Sequence, residues 1–366
     1  MMMKPQTIKA AVSYEVGKPL SVESVTLDAP KAFEVKVKVS ACAICHSDLF
    51  YIGGEWGEQA PSVYGHEAAG IVSEVGPNVT SVKVGDAVIV TLIRYCGHCY
   101  FCRLGEPTMC SSSFALDSET RLHTLDGQPL IQGLKTAGFA EYIVAHYSQV
   151  IPIAKNIPLE QASLLACGVI TGLGAVTNTA KVPFGSSVVI VGAGGVGLNS
   201  IQGAALSGAQ PIIAIDLADN KLEAAKTFGA THTINPAQTD AKTQVLELTD
   251  SRGADYVFIT AGSGKAIDMG MTLMRRGGSL VVVGMPPNGV KTEIELGYLA
   301  GYGQSILGSK MGSTQPEVDL PKLMGLYQQG RLKLDELITA RYTLTQINEA
   351  IDSVKRGEAL RNVIVF

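Results

Sequence analysis

The sequence predicts an α/β protein in which an antiparallel, barrel-like body precedes a doubly wound parallel sheet. Three observations predict this class. The chain has 366 residues, which is enough for about two domains. Its first half carries short runs of β-branched residues in partial alternation with polar ones. From about Ala162, near-continuous Val and Ile runs alternate with helical segments, which is typical of a parallel sheet covered on both faces.

The first half is predicted to consist of short strands separated by turns. The clearest alternation places Val35, Val37 and Val39 between Lys36 and Lys38, which predicts a strand with one buried face. The predicted strands read IKAAVSY, FEVKVKVSA, GIVSEVG and AVIVTLI.

The second half is predicted to alternate strands and helices. The segment ASLLACGVITGLGAVTNTA predicts one helix that ends near the turn at residues 182–185. Apolar strands are predicted in SVVIV, PIIAIDL, DYVFITAG and SLVVVGMP, with helices in GLNSIQGAALSGA and NKLEAAKTFGA. After Lys310 the chain is predicted to be helical and polar before a closing strand, NVIVF.

Composition narrows the function classes. The net charge of −4 and the pI of about 5.9 give no basic field for nucleic acid. The N-terminus has no long apolar run, so no secretory signal is expected, and no apolar run is long enough to predict a membrane span. Clustered cysteines without an export signal favour a reducing, cytoplasmic setting.

Four cysteines form a compact motif with Cys-x2-Cys-x2-Cys-x7-Cys spacing. They lie in the run RYCGHCYFCRLGEPTMC, where four thiolates close in sequence can surround one tetrahedral Zn²⁺. A disulfide framework is the weaker interpretation, because the chain is large and has an odd total of 7 cysteines. The four residues are Cys96, Cys99, Cys102 and Cys110.

A glycine motif follows the strand SVVIV and predicts a dinucleotide site of the Rossmann type. It reads G-x-G-x-x-G at a strand-to-helix turn, where a pyrophosphate can approach the backbone and the helix N-terminus. Asp216 ends the next strand, where a carboxylate can bond the ribose hydroxyls of NAD and repel the 2′-phosphate of NADP. The motif consists of Gly192, Ala193, Gly194, Gly195, Val196 and Gly197.

Three cysteines remain outside the four-cysteine motif. With His66, Cys45 and Cys167 could supply the three protein ligands of a catalytic zinc, which keeps a fourth position open. The spacing alone does not establish this set, because its members are far apart in sequence. Cys42 is interpreted as a buried small apolar residue.

Taken together, these motifs resemble the zinc-containing medium-chain alcohol dehydrogenases over essentially the whole chain. The matching pieces are GHEAAGIVSEVGPNVTSVKVGD at 65–86, the four-cysteine motif, CGVITGLGAV at 167–176, the glycine motif with Asp216, and the end LRNVIVF. The resemblance implies a GroES-like β-barrel catalytic domain over residues 1–168 and 310–366, and a Rossmann NAD-binding domain over residues 169–309.

The resemblance also implies a role for individual residues and two zinc ions per chain. The catalytic zinc would be bound by Cys45, His66 and Cys167, and the structural zinc by the four-cysteine motif. Ser47 would bond the substrate oxygen and take its proton, Asp48 would hold the ligand histidine, and Glu67 would lie behind the metal. NAD would contact His46, Thr171, Gly192, Gly194, Gly195, Val196, Gly197, Asp216, Lys221 and Arg361. The substrate pocket would be lined by Phe50, Trp56, Leu92, Ala115, Met285 and Leu307.

The implied reaction is reversible hydride transfer between an alcohol and NAD. The apolar pocket residues favour a hydrophobic primary alcohol, aromatic or medium-chain. One alternative is an S-(hydroxymethyl)glutathione dehydrogenase, although such enzymes hold the glutathione carboxylate with an arginine and this chain has Phe114–Ala115 near that place. Another is a non-catalytic zinc- and nucleotide-binding sensor. Many family members carry a histidine that ends a proton relay where this chain has Phe50.

The resemblance further implies a homodimer, with a tetramer as the alternative. The segment SSSFALDSETRLHTLDGQPLIQGLKTAG matches a long segment of the dimeric branch. GYGQSILG at 301–308 matches an edge strand that pairs across a dimer in the family.

Overall fold

A computed structural model describes residues 5–366, which form two compact units. The first unit ends at Cys167 and resumes over Gln315–Phe366, and the second spans Gly168–Thr314. The sequence-based boundaries at 168/169 and 309/310 lie within a few residues of these positions.

The first unit is built mainly from short strands. Up to Cys167 its strands are β1 (Gln6–Ser13), β2 (Ser21–Leu27), β3 (Glu34–Ala43), β4 (Ser62–Val63), β5 (Glu67–Val75), β6 (Ala87–Val90), β7 (Leu122–Thr124), β8 (Pro129–Gln132), β9 (Tyr142–His146) and β10 (Val150–Pro152). Its helices in this stretch are α1 (His46–Gly53), α2 (Tyr100–Arg103) and α3 (Leu159–Leu164).

The second unit alternates helices with strands. In chain order it comprises α4 (Gly168–Gly174), β11 (Val188–Val191), α5 (Gly195–Leu206), β12 (Ile212–Ile215), α6 (Asp219–Thr227), β13 (His232–Ile234), α7 (Ala241–Leu248), β14 (Ala254–Ile259), α8 (Gly264–Leu273), β15 (Met274–Val282), α9 (Leu296–Gly301) and β16 (Ser305–Gly308). The chain then returns to the first unit as α10 (Pro316–Gln328), β17 (Ile338–Thr343), α11 (Ile347–Lys355) and β18 (Arg361–Val365).

The strands of the first unit form a closed barrel and a mixed sheet. The barrel follows the order β1-β2-β7-β8-β4, and the sheet follows β10-β6-β5-β3-β18-β17, with β9 also paired to β3. The C-terminal strand β18 lies antiparallel to β3 and so completes the sheet that carries the metal-site residues. The predicted barrel-like body is confirmed.

The predicted alternation along β3 is only partly right. Val35, Val37 and Val39 are buried as expected, but Lys36 is only 2% exposed, whereas Lys38 faces solvent. Lys36 lies opposite Glu74 of β5 and its ammonium is 3.2 Å from that carboxylate. Strand pairing therefore supplies a partner that makes the buried charge tolerable, which the alternation alone could not reveal.

The second unit is a parallel sheet with the order β13-β12-β11-β14-β15-β16. Strands β11 (VVIV) and β12 (IIAI) consist entirely of buried apolar residues, which is typical of a parallel sheet covered by helices on both faces. The order reverses beside β11, which makes the carboxyl end of β11 a topological switch point where α/β sheets bind ligands. The predicted doubly wound sheet is confirmed.

The helix predicted from Ala162 is wrong in one respect, because the structure interrupts it. Helix α3 ends at Leu164 and α4 begins at Gly168, and the intervening turn contains Cys167. The helix after Gly174 continues as a π-helical turn over Ala175–Thr179. The interruption puts the Cys167 thiol on a turn instead of a helix face.

Within residues 5–366, no helix has both the length and the apolar character that a membrane crossing requires.

Candidate active site

Four side chains from separate elements of the first unit meet in a buried cluster. Cys45 precedes α1, His66 and Glu67 stand at the start of β5, and Cys167 lies in the turn after α3. Their Sγ, imidazole nitrogen and carboxylate oxygen atoms all lie within 4.8 Å of one another. The structure therefore brings together the three predicted ligands of the catalytic zinc together with Glu67.

Asp48 connects the chain segments that carry two of these ligands. It is fully buried, and its Oδ1 accepts from the Gly65 N–H and from His66 Nδ1, each at 2.9 Å. Its Oδ2 accepts from the Cys45 N–H at 3.1 Å. Because Nδ1 of His66 donates to a carboxylate, Nε2 keeps a free lone pair for a metal, which is the arrangement usual for ligand histidines.

The cluster contains buried polar atoms that lack a hydrogen-bond partner within the described chain. Nε2 of His66 and Oε1 of Glu67 are both of this kind. Buried polar atoms are normally paired, so these two atoms indicate a site that another species completes. Two thiols, one imidazole nitrogen and a nearby carboxylate fit Zn²⁺, which binds sulfur and nitrogen ligands tetrahedrally.

The two thiols of the cluster have pKa values that are shifted in opposite directions. The pKa of Cys45 lies well below its usual value because its sulfur accepts a hydrogen bond from Cys167 and lies beside His66, which together outweigh burial. The same hydrogen bond and burial raise the pKa of Cys167. One thiolate is thus favoured before any metal binds, and a divalent cation would displace the remaining proton.

The carboxylate of Glu67 forms a buried ion pair with Arg361. Arg361, at the start of β18, is 5% exposed and donates through Nη2 to Oε2 of Glu67. Burial raises the pKa of Glu67 to about 7, although the charge of Arg361 opposes this. The predicted pyrophosphate-binding arginine is therefore also the partner of the carboxylate behind the metal ligands.

Ser47 lies beside the cluster on the first turn of α1. Its Oγ is 3.9 Å from Sγ of Cys45, and its side chain is partly exposed. Aromatic residues follow Ser47 in the sequence, Phe50 and Tyr51 on α1 and Trp56 just after it. The rings of Phe50 and Trp56 lie 5.1 Å apart, and Tyr51 packs edge-on against Trp56 at 5.5 Å. An aromatic cluster thus follows Ser47 toward the end of α1.

The four-cysteine motif forms a second cluster around α2. The sulfurs of Cys96 and Cys102 are 3.9 Å apart, as are those of Cys99 and Cys110, so none of them is in a disulfide. Four sulfurs about 2.3 Å from a tetrahedral zinc would be about 3.8 Å apart. The spacing of the thiols therefore fits a closed structural zinc, with no position open for substrate.

In the second unit, the glycine motif forms the turn between β11 and α5. Gly192 has φ of 99°, a left-handed conformation that favours glycine. A Cβ on Gly197 would lie 1.8 Å from the carbonyl oxygen of Gly192, whereas a Cβ on Gly194 would meet nothing within 4 Å. Gly197 is thus needed for packing, and the open space at Gly194 fits the approach of a pyrophosphate.

Asp216 follows β12 and faces this turn. Its Oδ2 accepts from the Ala193 N–H at 2.7 Å and its Oδ1 from the Ala218 N–H at 2.9 Å. These bonds hold the carboxylate at the edge of the glycine turn, where it can accept further hydrogen bonds from ribose hydroxyls.

The other predicted cofactor residues are distributed over both units. His46 is exposed at the start of α1, and Arg361 has been described above. In the second unit, Thr171 is buried on α4 with its Oγ1 3.7 Å from Met311 Sδ, and Lys221 is half-buried on α6. Gly195 and Val196 are the first two residues of α5.

The predicted substrate-pocket residues are also divided between the units. Leu92 lines a cavity of 650 Å³ in the first unit, and Ala115 is exposed beside Leu116, which lines the same cavity. In the second unit Met285 is 61% exposed and Leu307 is half-buried on β16. Phe50 and Trp56 are the aromatic neighbours described above.

Sequence reasoning missed a buried polar network behind this cavity. Arg94, just before the four-cysteine motif, is 4% exposed and binds Asp117, Gln149 and the backbone of Lys135. An arginine between apolar runs was a possible signal, but its partners are 23, 55 and 41 residues away, so no local pattern could identify them.

Comparisons with known proteins agree with this geometry. Residues 31–155 match the model of the alcohol dehydrogenase GroES-like domain, and residues 195–329 match that of zinc-binding dehydrogenases. The chain is 37% identical to the alcohol dehydrogenase class-3 of Cereibacter sphaeroides, over 98% of this chain and 99% of that protein. It is 38% identical to an S-(hydroxymethyl)glutathione dehydrogenase of Saccharomyces cerevisiae, over 99% of this chain and 97% of that protein. The solved structure of benzyl alcohol dehydrogenase from Acinetobacter calcoaceticus is similar with a TM-score of 0.92 and 33% identity, over 99% of both chains.

Proposed function

Because the chain belongs to the zinc-containing medium-chain alcohol dehydrogenases, which are NAD-dependent oxidoreductases, we propose that it interconverts hydrophobic primary alcohols and aldehydes. Aromatic alcohols are the preferred class. The observation that carries this preference is the aromatic cluster that follows Ser47 on and after α1. In addition, Arg94 of the same unit is already hydrogen-bonded to protein groups.

The proposed roles follow from the contacts in the first unit. When bound at Cys45, His66 and Cys167, zinc supplies a Lewis acid for the alcohol oxygen, and NAD⁺ supplies the hydride acceptor. Ser47, whose Oγ lies 3.9 Å from Sγ of Cys45, would accept a hydrogen bond from the alcohol and, as it takes that proton, release its own hydroxyl proton to water. Asp48 keeps His66 in the tautomer that presents Nε2. The four-cysteine motif holds the structural zinc and touches no reacting atom.

The lining of the cavity supports an uncharged substrate. Its apolar lining residues include Leu92, Leu116, Leu130 and Leu134, and its acidic ones are Asp117 and Glu119, with Lys135 as the cation. Both acids are paired with protein cations, Asp117 with Arg94 and Glu119 with Lys31 and Arg121, and no arginine is among the lining residues that would face the carboxylates of a glutathione adduct. An uncharged aromatic or alkyl group would instead bury apolar surface there.

The residue at position 114 supports the same preference. The Phe114 ring packs edge-on against His146 at 4.8 Å and lies over the Arg94 guanidinium at 5.7 Å. Arg94 itself donates to Asp117 and Gln149, each at 2.8 Å. A ligand carboxylate would have to compete with these two partners for the guanidinium.

S-(hydroxymethyl)glutathione oxidation is the second candidate. The name of the Saccharomyces cerevisiae relative favours it, and the identity of 38% to that relative is higher than the 33% to the benzyl alcohol dehydrogenase. A non-catalytic sensor is disfavoured, because all four residues of the catalytic cluster are present and assembled.

A substrate panel distinguishes the two candidates. With NAD⁺ and two zinc ions per chain, we expect kcat/KM for benzyl alcohol and hexanol to exceed that for S-hydroxymethylglutathione at least tenfold. Phe114→Arg is the matched variant, and it should raise activity on the glutathione adduct more than on benzyl alcohol. A dominant rate of the unaltered enzyme with the glutathione adduct would reverse the proposal.

The proposed assembly is a homodimer in a reducing cytoplasm. Strand β16 is the edge of the parallel sheet, and large apolar side chains stand exposed just before it at Leu296 and Tyr298, which are 71% and 53% exposed. Pairing of two such edges would satisfy the strand backbone and cover these side chains. Light scattering should give twice the chain mass of 38.5 kDa. A monomer that stays active when diluted would contradict this assembly.

A further inference from the structure

The 650 Å³ cavity has one wall with an unusual backbone conformation. Leu134 and Lys135 have φ of 50° and 62°, and both line the cavity. Consecutive left-handed residues other than glycine are strained and persist only where the surrounding structure holds them, often at functional sites. The surrounding structure must therefore hold this turn.

Two buried side chains provide that support. The carbonyl oxygen of Lys135 accepts from Arg94 Nη2 and from Gln149 Nε2, both at 3.1 Å. Arg94 Nε also donates to Gln149 Oε1 at 2.8 Å, so the two side chains form one unit. Arg94 is 4% exposed and Gln149 is fully buried.

The same pair also holds two further walls of the cavity. Arg94 Nη1 donates to Asp117 Oδ1 at 2.8 Å, and Asp117 lies on the cavity wall formed by residues 116–120. Gln149 Nε2 donates to the Thr91 carbonyl at 2.9 Å, and the next residue, Leu92, lines the cavity. One buried pair therefore fixes three wall segments that are distant in sequence.

Two chain segments connect the cavity wall with the reacting groups of the first unit. Tyr51, which lines it, is four residues after Ser47 on α1, so the two side chains lie on one helix face. On another side, Thr91 donates its hydroxyl to the Ala166 carbonyl at 2.6 Å, one residue before the ligand Cys167. A shift of these walls would thus be felt by the part of a substrate that extends away from Ser47.

We propose that Arg94 and Gln149 are positioning residues that set the width of this cavity and thereby the size of alcohol that the enzyme accepts. The inference rests on the proposed function and adds a determinant of specificity to it. Arg94 acts through the backbone of Lys135 and through Asp117. A lysine could keep the charge but not the forked contacts, so Arg94→Lys should behave like Arg94→Met.

The test compares Arg94→Met and Arg94→Lys with Lys36→Met, a matched control. Lys36 is also a buried cation of the first unit, but it pairs with Glu74, which is not among the residues that line the cavity. In both Arg94 variants we expect the kcat/KM ratio of benzyl alcohol to 1-naphthylmethanol to fall at least fivefold, mainly through KM. In the control the ratio should stay within twofold.

Hydrogen exchange supplies a readout that needs no turnover. The Thr136 and Ala137 N–H groups bond to the Gly133 carbonyl at 3.1 and 3.3 Å and report the conformation of the turn. These amides should exchange at least tenfold faster in the Arg94 variants, and at the unaltered rate in Lys36→Met. Unchanged exchange, or faster exchange with an unchanged substrate ratio, would overturn the proposal.

A binding measurement separates this proposal from the proposed function. If the unaltered enzyme oxidised neither alcohol, calorimetric titration with benzamide and 1-naphthamide would take the place of the kinetic ratio. Loss of discrimination between these two amides in the Arg94 variants would still support the positioning pair, and retained discrimination would overturn it.

Discussion

Substitution of Asp48 by asparagine should weaken the catalytic zinc site without unfolding the protein. The fully buried carboxylate accepts three hydrogen bonds, from the Gly65 and Cys45 N–H groups and from His66 Nδ1, at 2.9, 3.1 and 2.9 Å. Asparagine has nearly the same shape but only one acceptor oxygen. If that oxygen stays toward His66, the new NH₂ group faces the Cys45 N–H, and two donors meet.

The expected magnitude follows from the bonds that are lost. Loss of at least one hydrogen bond to a charged, buried acceptor costs about 1.5–3 kcal/mol. This cost falls mainly on the metal-bound state, because zinc would hold His66 and Cys45 in the geometry that opposes the new NH₂ group. At about 1.4 kcal/mol per factor of ten, zinc affinity at this site should fall about 10–100-fold.

The assay is chelator competition followed by zinc analysis per chain. The unaltered protein should hold two zinc ions, and Asp48→Asn should lose one of them at a chelator concentration about 10–100-fold lower, while the four-cysteine motif keeps its zinc. Asp86→Asn is the control, because the Asp86 carboxylate also accepts a backbone N–H, that of Lys83 at 2.9 Å, but it lies in the turn before β6 and is partly exposed. Equal chelator resistance of Asp48→Asn and the unaltered protein, or loss of both zinc ions together, would refute the reasoning.

Three further predictions concern the proton path, the nucleotide turn and pH. Because Phe50 cannot carry a proton, a small exogenous base should speed alcohol oxidation where deprotonation limits its rate. Phe50→His should make the rate independent of the added base. No acceleration by the base, together with an unchanged pH profile in Phe50→His, would contradict this prediction. Gly194→Ala should fold normally but weaken NAD binding, measured by titration, about tenfold or more. Gly197→Ala should instead lower the thermal midpoint of unfolding, because its Cβ would lie 1.8 Å from the Gly192 carbonyl oxygen. Equal effects of the two variants on NAD binding and on the thermal midpoint would count against a nucleotide site at this turn. Burial and then the charge of Arg94 lower the pKa of His146 to about 4, so protonation of His146 favours the unfolded chain. The free energy of unfolding, measured with urea, should therefore fall by about 1–3 kcal/mol between about pH 6.5 and pH 4. His146→Gln should show a smaller fall, and an identical pH dependence in this variant would exclude His146 as the cause.

Local patterns in the sequence were sufficient for some features and not for others. The four-cysteine motif and the glycine turn could be predicted because each is a continuous segment whose chemistry follows from its spacing. The three predicted ligands of the catalytic zinc come from the residue before α1, the residue before β5 and the turn after α3. Spacing therefore left the set open, and only the resemblance to a family joined its members. The parallel sheet of the second unit could be predicted from the alternation of strands and helices, but its strand order could not.

The features that sequence reasoning missed depend on contacts between distant segments. The break before Cys167 lies in a run of apolar residues that has no Gly or Pro before Gly168, so nothing local predicted the turn. Burial of Lys36 depends on its register opposite Glu74. The contacts of Arg94 depend on segments around positions 117, 135 and 149, which meet only in the folded unit.

The two zinc sites differ in when they can first exist during synthesis of the chain. All four ligands of the structural site lie within residues 96–110, so a growing chain can complete that site soon after residue 110 leaves the ribosome. The other proposed site needs Cys167, and Arg361, the partner of its carboxylate, follows 194 residues after that cysteine. The four-cysteine site could therefore take up zinc while most of the second unit has yet to be made, whereas the proposed catalytic site could do so only after Cys167 has been added.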